Sequence, residues 1–389
     1  MKATLNIIPL SETTKFIVDN RGRTAPTEKS GIPLIATNCV NNSTLYPVYE
    51  NLRFVSQDTY DNWFRAHPRP GDILLTLKGS QNGAVCLVPE PVDFVIAQDM
   101  VALRVDESVI DRNYLFAALR SPDIQSQIKN LDVSGVIPHL KKTDFDKLLI
   151  PYPDRAAQLS IGNYYFCLSK KIDLLHRQNK VLEAMAESLF RLWFVGANSE
   201  GWTERSLSGI ARFLNGLACQ KYPPENALEK LPVLKIRELS SGISEASDWA
   251  TNQVKPDYIV EAGDVIFAWS ASLMVKIWDG ERCVLNQHLF KVTSDEFPKW
   301  FYLLWCKHHL VEFISISSSH ATTMGHIKRG DLDAAIVLIP TAGELEEMSK
   351  QMEPLLDKQI ANAKQIKSLE KLRDTLLPKL MSGEARVSF

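Results

Sequence analysis

Two polar loops hold the residue types that could do chemistry in this chain of 389 residues. Their sequences are LKGSQNG at residues 77–83 and AWSASLM at residues 268–274. Gln and Asn side chains can hydrogen-bond to the edge of adenine, and Lys can bind guanine or a backbone phosphate. These types favour contact with DNA, although each loop could also be a solvated hairpin. The candidate contacts are Lys78, Gln81, Asn82, Trp269, Ser270 and Ser272.

Two pairs of cations lie just beyond a histidine. The pairs are Lys141-Lys142, after His139, and Lys328-Arg329, after His326. Each pair could hold a phosphate, and each could equally flank the start of a helix. A third candidate is the Ser/Thr-rich stretch SSSHATTMG at residues 317–325, which contains His320 and Thr322.

Motifs for catalysis are absent from the sequence. It contains no phosphate-binding loop, dinucleotide fingerprint, H-E-x-x-H zinc motif or G-x-S-x-G nucleophile elbow. YPPENA (222–227) has two prolines but not the neighbours found in amino-methyltransferases, and the eight histidines and six cysteines show no zinc-ligand spacing. The sequence therefore predicts a binding protein with no catalytic residues, metal or cofactor of its own.

The overall charge sets a condition on DNA binding. The formal net charge is −2, so any grip on phosphates must come from local patches or from a partner. Six widely spaced cysteines are typical of reduced thiols in a cytoplasmic protein. We expect neither a signal peptide nor a membrane span, because the start lacks a basic region before an apolar core and no long uncharged apolar run occurs.

The chain repeats itself at an offset of about half its length. His139 and His326 are 187 positions apart, as are Asp144 and Asp331. Further matched segments are RPGDILLTL (69–77) with EAGDVIFAW (261–269), and IAQDMVALRV (96–105) with LNQHLFKVTS (285–294), which aligns Gln98 with Gln287. The repeat predicts two related α/β or α+β domains, at residues 1–155 and 197–341.

A long helix is predicted after each domain, at residues 156–196 and 342–385. In the first, apolar residues recur at steps of 3 and 4, as in a heptad seam interrupted by one Asn. We expect the two helices to pack on each other, antiparallel, as a coiled-coil spacer. The alternative is that each helix lies on its own domain. The predicted interface residues are Leu168, Ile172, Leu175, Asn179, Leu182, Leu189, Trp193, Leu356, Ile360, Ile366, Leu369 and Leu376.

Domain, heptad helix, domain, heptad helix is the layout of the specificity subunit of type I restriction–modification systems, which this chain resembles over essentially its whole length. The resemblance is strongest at LEAMAESLFRLWFVG (182–196) and LEKLRDTLLPKLMSGEARV (369–387). The Pro-containing entries LIPYPDRAAQ and LIPTAGELEE also fit, although the second lacks the usual Pro-Leu-x-x-Gln wording.

The resemblance implies two target-recognition domains, each reading one half of an asymmetric bipartite site in double-stranded DNA. It also implies that the paired helices set the gap between the halves and bind two modification subunits, with restriction subunits joining for cleavage. S-adenosylmethionine is expected on the modification subunits, which flip and methylate adenine, and no membrane partner is expected.

Two other interpretations stay open at this point. One is the recognition chain of a related methyltransferase–nuclease. The other is a coiled-coil scaffold with two protein-binding domains and no DNA, which salt-dependent, sequence-selective DNA binding would exclude.

Overall fold

The computed structural model describes residues 6–20, 24–132, 137–196, 200–226, 228–319 and 326–385. These residues form two units. Unit 1 holds the described residues up to Leu174 and from Ser368 onward, and unit 2 runs from Leu175 to Lys367. None of the helices in the described ranges is long and apolar enough to cross a lipid bilayer.

Unit 1 mixes short strands with helices. The strands are β1 (Ile7–Pro9), β2 (Thr14–Val18), β3 (Ile32–Ile35), β4 (Arg53–Val55), β5 (Ile73–Thr76), β6 (Val85–Leu87), β7 (Val95–Ile96), β8 (Met100–Val105) and β9 (Leu149–Pro151). The helices are α1 (Gln57–Asn62), α2 (Arg112–Arg120), α3 (Pro122–Leu131) and the start of α4 (Arg155–Phe194). One-turn 3-10 helices lie at Leu10–Thr13, Thr37–Cys39 and Lys142–Asp144.

Unit 2 contains the rest of α4 and a second set of elements. The strands are β10 (Thr203–Ser206), β11 (Arg212–Asn215), β12 (Lys230–Leu234), β13 (Trp249–Thr251), β14 (Ile259–Val260), β15 (Val265–Ala268), β16 (Met274–Ile277), β17 (Cys283–Leu285), β18 (Leu289–Thr293) and β19 (Ile336–Ile339). The helices are α5 (Leu207–Ile210), α6 (Ile236–Ser241), α7 (Lys299–Ser319), α8 (Arg329–Ala334) and α9 (Ala342–Met381), whose last turns belong to unit 1. One-turn 3-10 helices lie at Cys219–Lys221 and Pro256–Tyr258.

The two units share one sheet plan, which confirms the internal duplication. Each has a four-stranded antiparallel sheet, of order β2-β8-β5-β6 in unit 1 and β11-β18-β15-β16 in unit 2. Each also has a two-stranded ladder joining its first and last strands, β1-β9 and β10-β19. The third sheet is β4-β3-β7 in unit 1 and β13-β12-β17-β14 in unit 2, and its β3–β7 and β12–β17 pairs are parallel.

The Gly-Asp turns lead into buried strands, as the sequence predicts. Every residue of β5 and of β15 is buried. Gly71 and Gly263 adopt φ values of +83° and +106°, which a residue with a side chain adopts only at a cost. The turn therefore needs glycine in both units.

Residues 111–128 fold as two helices, α2 and most of α3, whereas the corresponding part of unit 2 is the single helix α7. Ser121 ends α2, and its hydroxyl accepts a hydrogen bond from the amide of Ile124, so it also caps α3. Pro122 then occupies the first position of α3, where its missing N–H is not needed. Because α7 has no proline, it continues unbroken from Lys299 to Ser319.

Each long helix contributes to the hydrophobic core of both units. In unit 1, Leu377 and Leu380 of α9 join Ile161 and Tyr165 of α4 against α2 and the four-stranded sheet. In unit 2, the core around α7 is aromatic: Phe194 of α4 lies 5.3 Å from Trp305 and 5.9 Å from Phe301, measured between ring centroids. Such edge-on aromatic pairs add to the stabilisation from area burial.

Within unit 2 the two long helices run antiparallel. Asn179 of α4 donates to the carbonyl of Gln359 (3.2 Å), and Asn362 donates to the Asn179 side chain (2.9 Å). Asn362 is only 1% exposed and also donates to Gln178. This buried amide layer restricts the helices to one register, because sliding them would leave polar groups unpaired.

The predicted seam residues are all buried or half-buried. The sequence did not identify Asn362 and Arg373 as buried positions of α9. Arg373 fills the gap in the apolar stripe between Leu369 and Leu376 by lying over the Tyr165 ring, 5.6 Å from its centroid. That the predicted seam residues also form an interface with another protein stays a prediction.

Candidate nucleic-acid interface

Two loops that are distant in the sequence of unit 1 meet in the structure. The backbones of Lys78 and His139 form an isolated antiparallel bridge. On one side the amide of Leu140 donates to the carbonyl of Leu77 (2.9 Å), and on the other the amide of Gly79 donates to the carbonyl of Pro138 (3.0 Å). The bridge therefore brings the first candidate loop beside the first cation pair.

These loops line a cavity of about 320 Å³. Lys78, Lys141 and Lys142 lie along it together with Gln98 and His139, and we call these five residues face 1. Lys141 and Lys142 are exposed, and Lys142 forms an ion pair with Asp19, which also lines the cavity. Asp99 lines the cavity as well, so three lysines and two aspartates give this concave surface a small positive excess, which the net charge of the chain does not supply.

The other two candidates in the first loop differ in how exposed their side chains are. Gln81 is exposed, whereas Asn82 is half-buried and its side-chain oxygen accepts a hydrogen bond from the amide of Leu140 (3.2 Å). Asn82 thus holds the two loops together. Gln81 has the freer side chain for an external contact.

Each cation pair does flank a helix start, one of its two interpretations. The backbone N–H of Lys141 donates to Asp144 (3.3 Å), and that of Lys328 donates to Asp331 (2.6 Å). A hydrogen bond from the Lys147 ammonium, aided by the one from the Lys141 amide, holds the pKa of Asp144 below its ordinary value. Because only backbone groups of Lys141 and Lys328 make these caps, their exposed side chains can still bind an anion.

Unit 2 repeats the loop junction with different side chains. Ser270 and His326 form the equivalent bridge, and the amide of Ile327 donates to the carbonyl of Trp269 (3.1 Å). The Trp269 ring stacks on Phe290 at 5.7 Å, and its indole N–H donates to Asn215 (3.1 Å). An aromatic ring therefore lies beside the bridge in unit 2.

The structure places Ser270 in the interior, unlike the exposed contact that the sequence suggests. It is 5% exposed, and a 3.2 Å hydrogen bond joins its hydroxyl to Nδ1 of His288. The side-chain nitrogen of Gln287 lies 3.3 Å from Nε2 of the same ring, so each ring nitrogen has a polar partner. Ser270 thus orients His288, a residue that sequence reasoning missed.

We call Trp269, Gln287, His288, His326 and Lys328 face 2. Ser272 is exposed in the loop beside it. Arg329 is exposed at the start of α8 and lines a separate cavity of about 720 Å³ along β11. His320 and Thr322 lie outside the described residues. In the described parts of the chain, no group of three His, Cys, Asp or Glu side chains is placed to hold a metal ion.

Comparison with known proteins decides between the interpretations of this fold. A family model described as the type I restriction modification DNA specificity domain matches residues 18–184 and, a second time, residues 199–371. The chain belongs to this family. The two matches fall one on each repeat, so sequence-specific recognition of DNA in a type I restriction–modification system is the function of this specificity chain, and the scaffold interpretation is wrong.

Several relatives agree with this assignment over most of their length. The specificity subunit of the type I restriction enzyme MjaIX from Methanocaldococcus jannaschii is 26% identical over 299 residues, which cover 70% of this chain and 69% of the relative. That of HindI from Haemophilus influenzae is 19% identical over 399 residues, covering 81% and 87%. The crystal structure of the type I S subunit from M. genitalium shares the fold, with a TM-score of 0.57 at 15% identity over 98% of this chain and 97% of that one.

Proposed function

We propose that face 1 and face 2 are the DNA-contacting surfaces of the specificity chain, each reading one half of an asymmetric bipartite target in double-stranded DNA. One observation carries this proposal: the same backbone bridge, Lys78–His139 in unit 1 and Ser270–His326 in unit 2, joins the same two loops in both repeats. Two DNA-contacting surfaces that arose by duplication and recognise different sequences are expected to share a backbone scaffold and to differ in their side chains.

The two faces differ in how they attract DNA. Face 1 has three lysines around its cavity, whereas face 2 has Trp269, two histidines and one lysine. Phosphate contacts by lysine supply affinity and salt dependence, and base-edge contacts supply specificity. Face 1 therefore contributes more of the salt-dependent affinity than face 2.

The long helices provide a surface for the other subunits. Val181, Met185 and Leu192 of α4 are large apolar residues that are 58%, 47% and 71% exposed. They form a second stripe roughly a quarter turn around the helix from the seam. Exposed apolar stripes of this kind mark protein interaction sites. We assign the stripe to the modification subunits, which carry S-adenosylmethionine and methylate adenine, while restriction subunits join the complex for cleavage.

Exchanging residues 1–155 for the equivalent domain of a relative tests this function. Only one half of the methylated sequence should change, because face 2 and its scaffold are untouched. Methylome sequencing of cells expressing each version with the modification subunits gives the result. A motif that changes in both halves, or in neither, contradicts the assignment of one half to each unit.

Removing two lysines from face 1 should weaken binding to all DNA sequences alike. Each lost phosphate contact makes the negative slope of log K against log salt shallower by about 0.9, which corresponds to roughly fivefold weaker binding per lysine near 0.15 M salt. Fluorescence anisotropy of the assembled complex carrying Lys78→Ala and Lys141→Ala, over a series of salt concentrations, measures both effects.

The matched control for this charge change is Lys171→Ala, which removes an exposed cation from α4 of the same unit. It should leave the slope unchanged. If the double variant kept the parent slope, face 1 would not contact phosphates.

A further inference from the structure

A glutamine occupies the same backbone position in both units. In unit 1, the amide of Ala97 donates to Ile35 (2.8 Å), and the carbonyl of Asp99 accepts from Leu77 (2.8 Å). Gln98 lies between these two hydrogen bonds, in the turn that joins β7 to β8. Its backbone is therefore fixed on both sides.

The same bonds recur in unit 2. The amide of Asn286 donates to Leu234 (3.1 Å), and the carbonyl of His288 accepts from Trp269 (3.4 Å). Gln287 lies between them, in the turn from β17 to β18. The carbonyls of Leu77 and Trp269 also accept the hydrogen bonds that join the two loops of their units. The two glutamines therefore lie next to equivalent parts of face 1 and face 2.

Both glutamine side chains are held by one hydrogen bond from the amide nitrogen. That of Gln98 donates to the Thr24 hydroxyl (3.3 Å), and that of Gln287 donates to the His288 ring (3.3 Å). An amide nitrogen has two hydrogens, so one donor and the carbonyl oxygen stay available on each glutamine. Both residues are half-buried, and Gln98 lines the cavity of face 1 beside Lys78 and Lys141.

We propose that Gln98 and Gln287 are specificity-determining residues, each reading one adenine in the half-site bound by its own unit. This rests on the proposed function, since it requires face 1 and face 2 to meet DNA. A side chain that offers one donor and one acceptor matches the N7 acceptor and N6 donor on the major-groove edge of adenine. Guanine presents two acceptors there, and cytosine presents only its N4 donor, so neither fits an oriented glutamine as well.

The anchoring bond makes this contact selective. A free glutamine loses side-chain entropy when it binds and can rotate its amide to suit another base. Thr24 and His288 hold the nitrogen end in place, so the donor and acceptor are already oriented before DNA arrives. Preorganisation of this kind lowers the entropy cost of the contact, and an amide held in one orientation matches only one arrangement of donor and acceptor on a base.

The experiment uses the full chain assembled with its modification subunits and methylome sequencing as the readout. Gln98→Ala should relax one A·T position in one half of the motif, and Gln287→Ala should relax one A·T position in the other half. A bidentate contact to a base discriminates by roughly 5- to 160-fold, so the preference at each position should fall by that factor. Each variant should leave the opposite half unchanged.

Gln98→Glu and Gln287→Glu are the second pair of variants, because they keep the side-chain shape. A carboxylate accepts from cytosine N4 and is repelled by adenine N7, so the preferred base at the same position should move from adenine to cytosine. Gln57→Ala and Gln253→Ala are the controls, as both remove an exposed glutamine, one from each unit, and should leave the motif unaltered.

The outcomes separate the two levels of the proposal. If the parent complex methylated no defined sequence, the proposed function itself would fail. If the parent read a bipartite motif and the Gln→Glu variants kept it unchanged, or if one variant altered both halves, the glutamine assignment would be overturned while the function stood.

Discussion

A chain that ends at Lys367 is expected to lose the folded state of unit 1 and to keep that of unit 2. All of the residues of unit 2, Leu175–Lys367, survive this truncation. Unit 1 loses the end of α9, where Leu377 and Leu380 are only 4% and 5% exposed. Removing them opens the core formed with α2 and the four-stranded sheet.

The size of this loss is comparable to the whole stability of an ordinary domain. Deleting one buried leucine side chain costs about 2–5 kcal/mol, and a typical domain is stable by about 5–15 kcal/mol in total. The truncation removes both leucines together with Arg373, whose side chain covers the Tyr165 ring. We therefore expect unit 1 to be largely unfolded at 25 °C.

Hydrogen exchange measured peptide by peptide distinguishes the two units. Amides of β5 and β8 should lose protection in the truncated chain, and those of β15 and β18 should keep it. Leu377→Ala in the full chain should lower the protection of unit 1 alone, by about 2–5 kcal/mol. Leu372→Ala is the matched control, because this leucine of the same helix is 44% exposed. Equal loss of protection in both units would show that unit 2 does not stay folded when unit 1 is destabilised.

The repeat made much of this fold predictable from the sequence. Matching of the Gly-Asp turns and of the two histidines placed equivalent elements in both halves, and the structure confirms it in the order of the sheets. The period of apolar residues identified both long helices within a few residues of their ends, Arg155–Phe194 and Ala342–Met381. Local patterns suffice for such elements because their burial repeats along the chain.

Buried polar residues were not predictable in the same way. Arg373 breaks the apolar period and is nevertheless buried, since its long side chain packs over an aromatic ring 208 positions earlier in the sequence. Asn362 can be buried because its side-chain nitrogen donates hydrogen bonds to the side-chain oxygens of Gln178 and Asn179 in α4. In both cases the partner comes from another helix, and a period within one helix carries no information about it.

The sequence predicted individual residues of the candidate site, but not which of them lie together in the structure. The sequence indicated Lys78 and the Lys141-Lys142 pair, but only the Lys78–His139 bridge shows that they share one cavity. Ser270 was one of the candidate contacts, yet its short hydroxyl is buried against His288. The aligned glutamines, Gln98 and Gln287, were visible in the repeat. Their orientation depends on Thr24 and His288, which no spacing rule connects to them.

If each unit reads one half-site as proposed, lengthening both long helices by seven residues should lengthen the gap between the two half-sites of the methylated motif. The insertions are a copy of residues 168–174 after Leu174 and a copy of residues 361–367 after Lys367, with leucine in place of the copied Asn362 so that no amide is left unpaired. Every contact described within unit 1 or within unit 2 is retained, because both insertions fall where the chain passes from one unit to the other.

Seven residues add about 10 Å of helix and change its phase by only about 20°, so the apolar seam stays continuous. At about 3.4 Å per base pair, the new motif should keep the same two half-sites with a gap about three base pairs longer. Methylome sequencing of this variant beside the parent gives the gap directly. The control inserts the copy in α4 alone, which makes α4 seven residues longer than α9 at the point where the chain passes from unit 1 to unit 2, and it should reduce methylation of every motif. An active double-insertion variant with the parent gap would mean that the helices do not set the distance between half-sites.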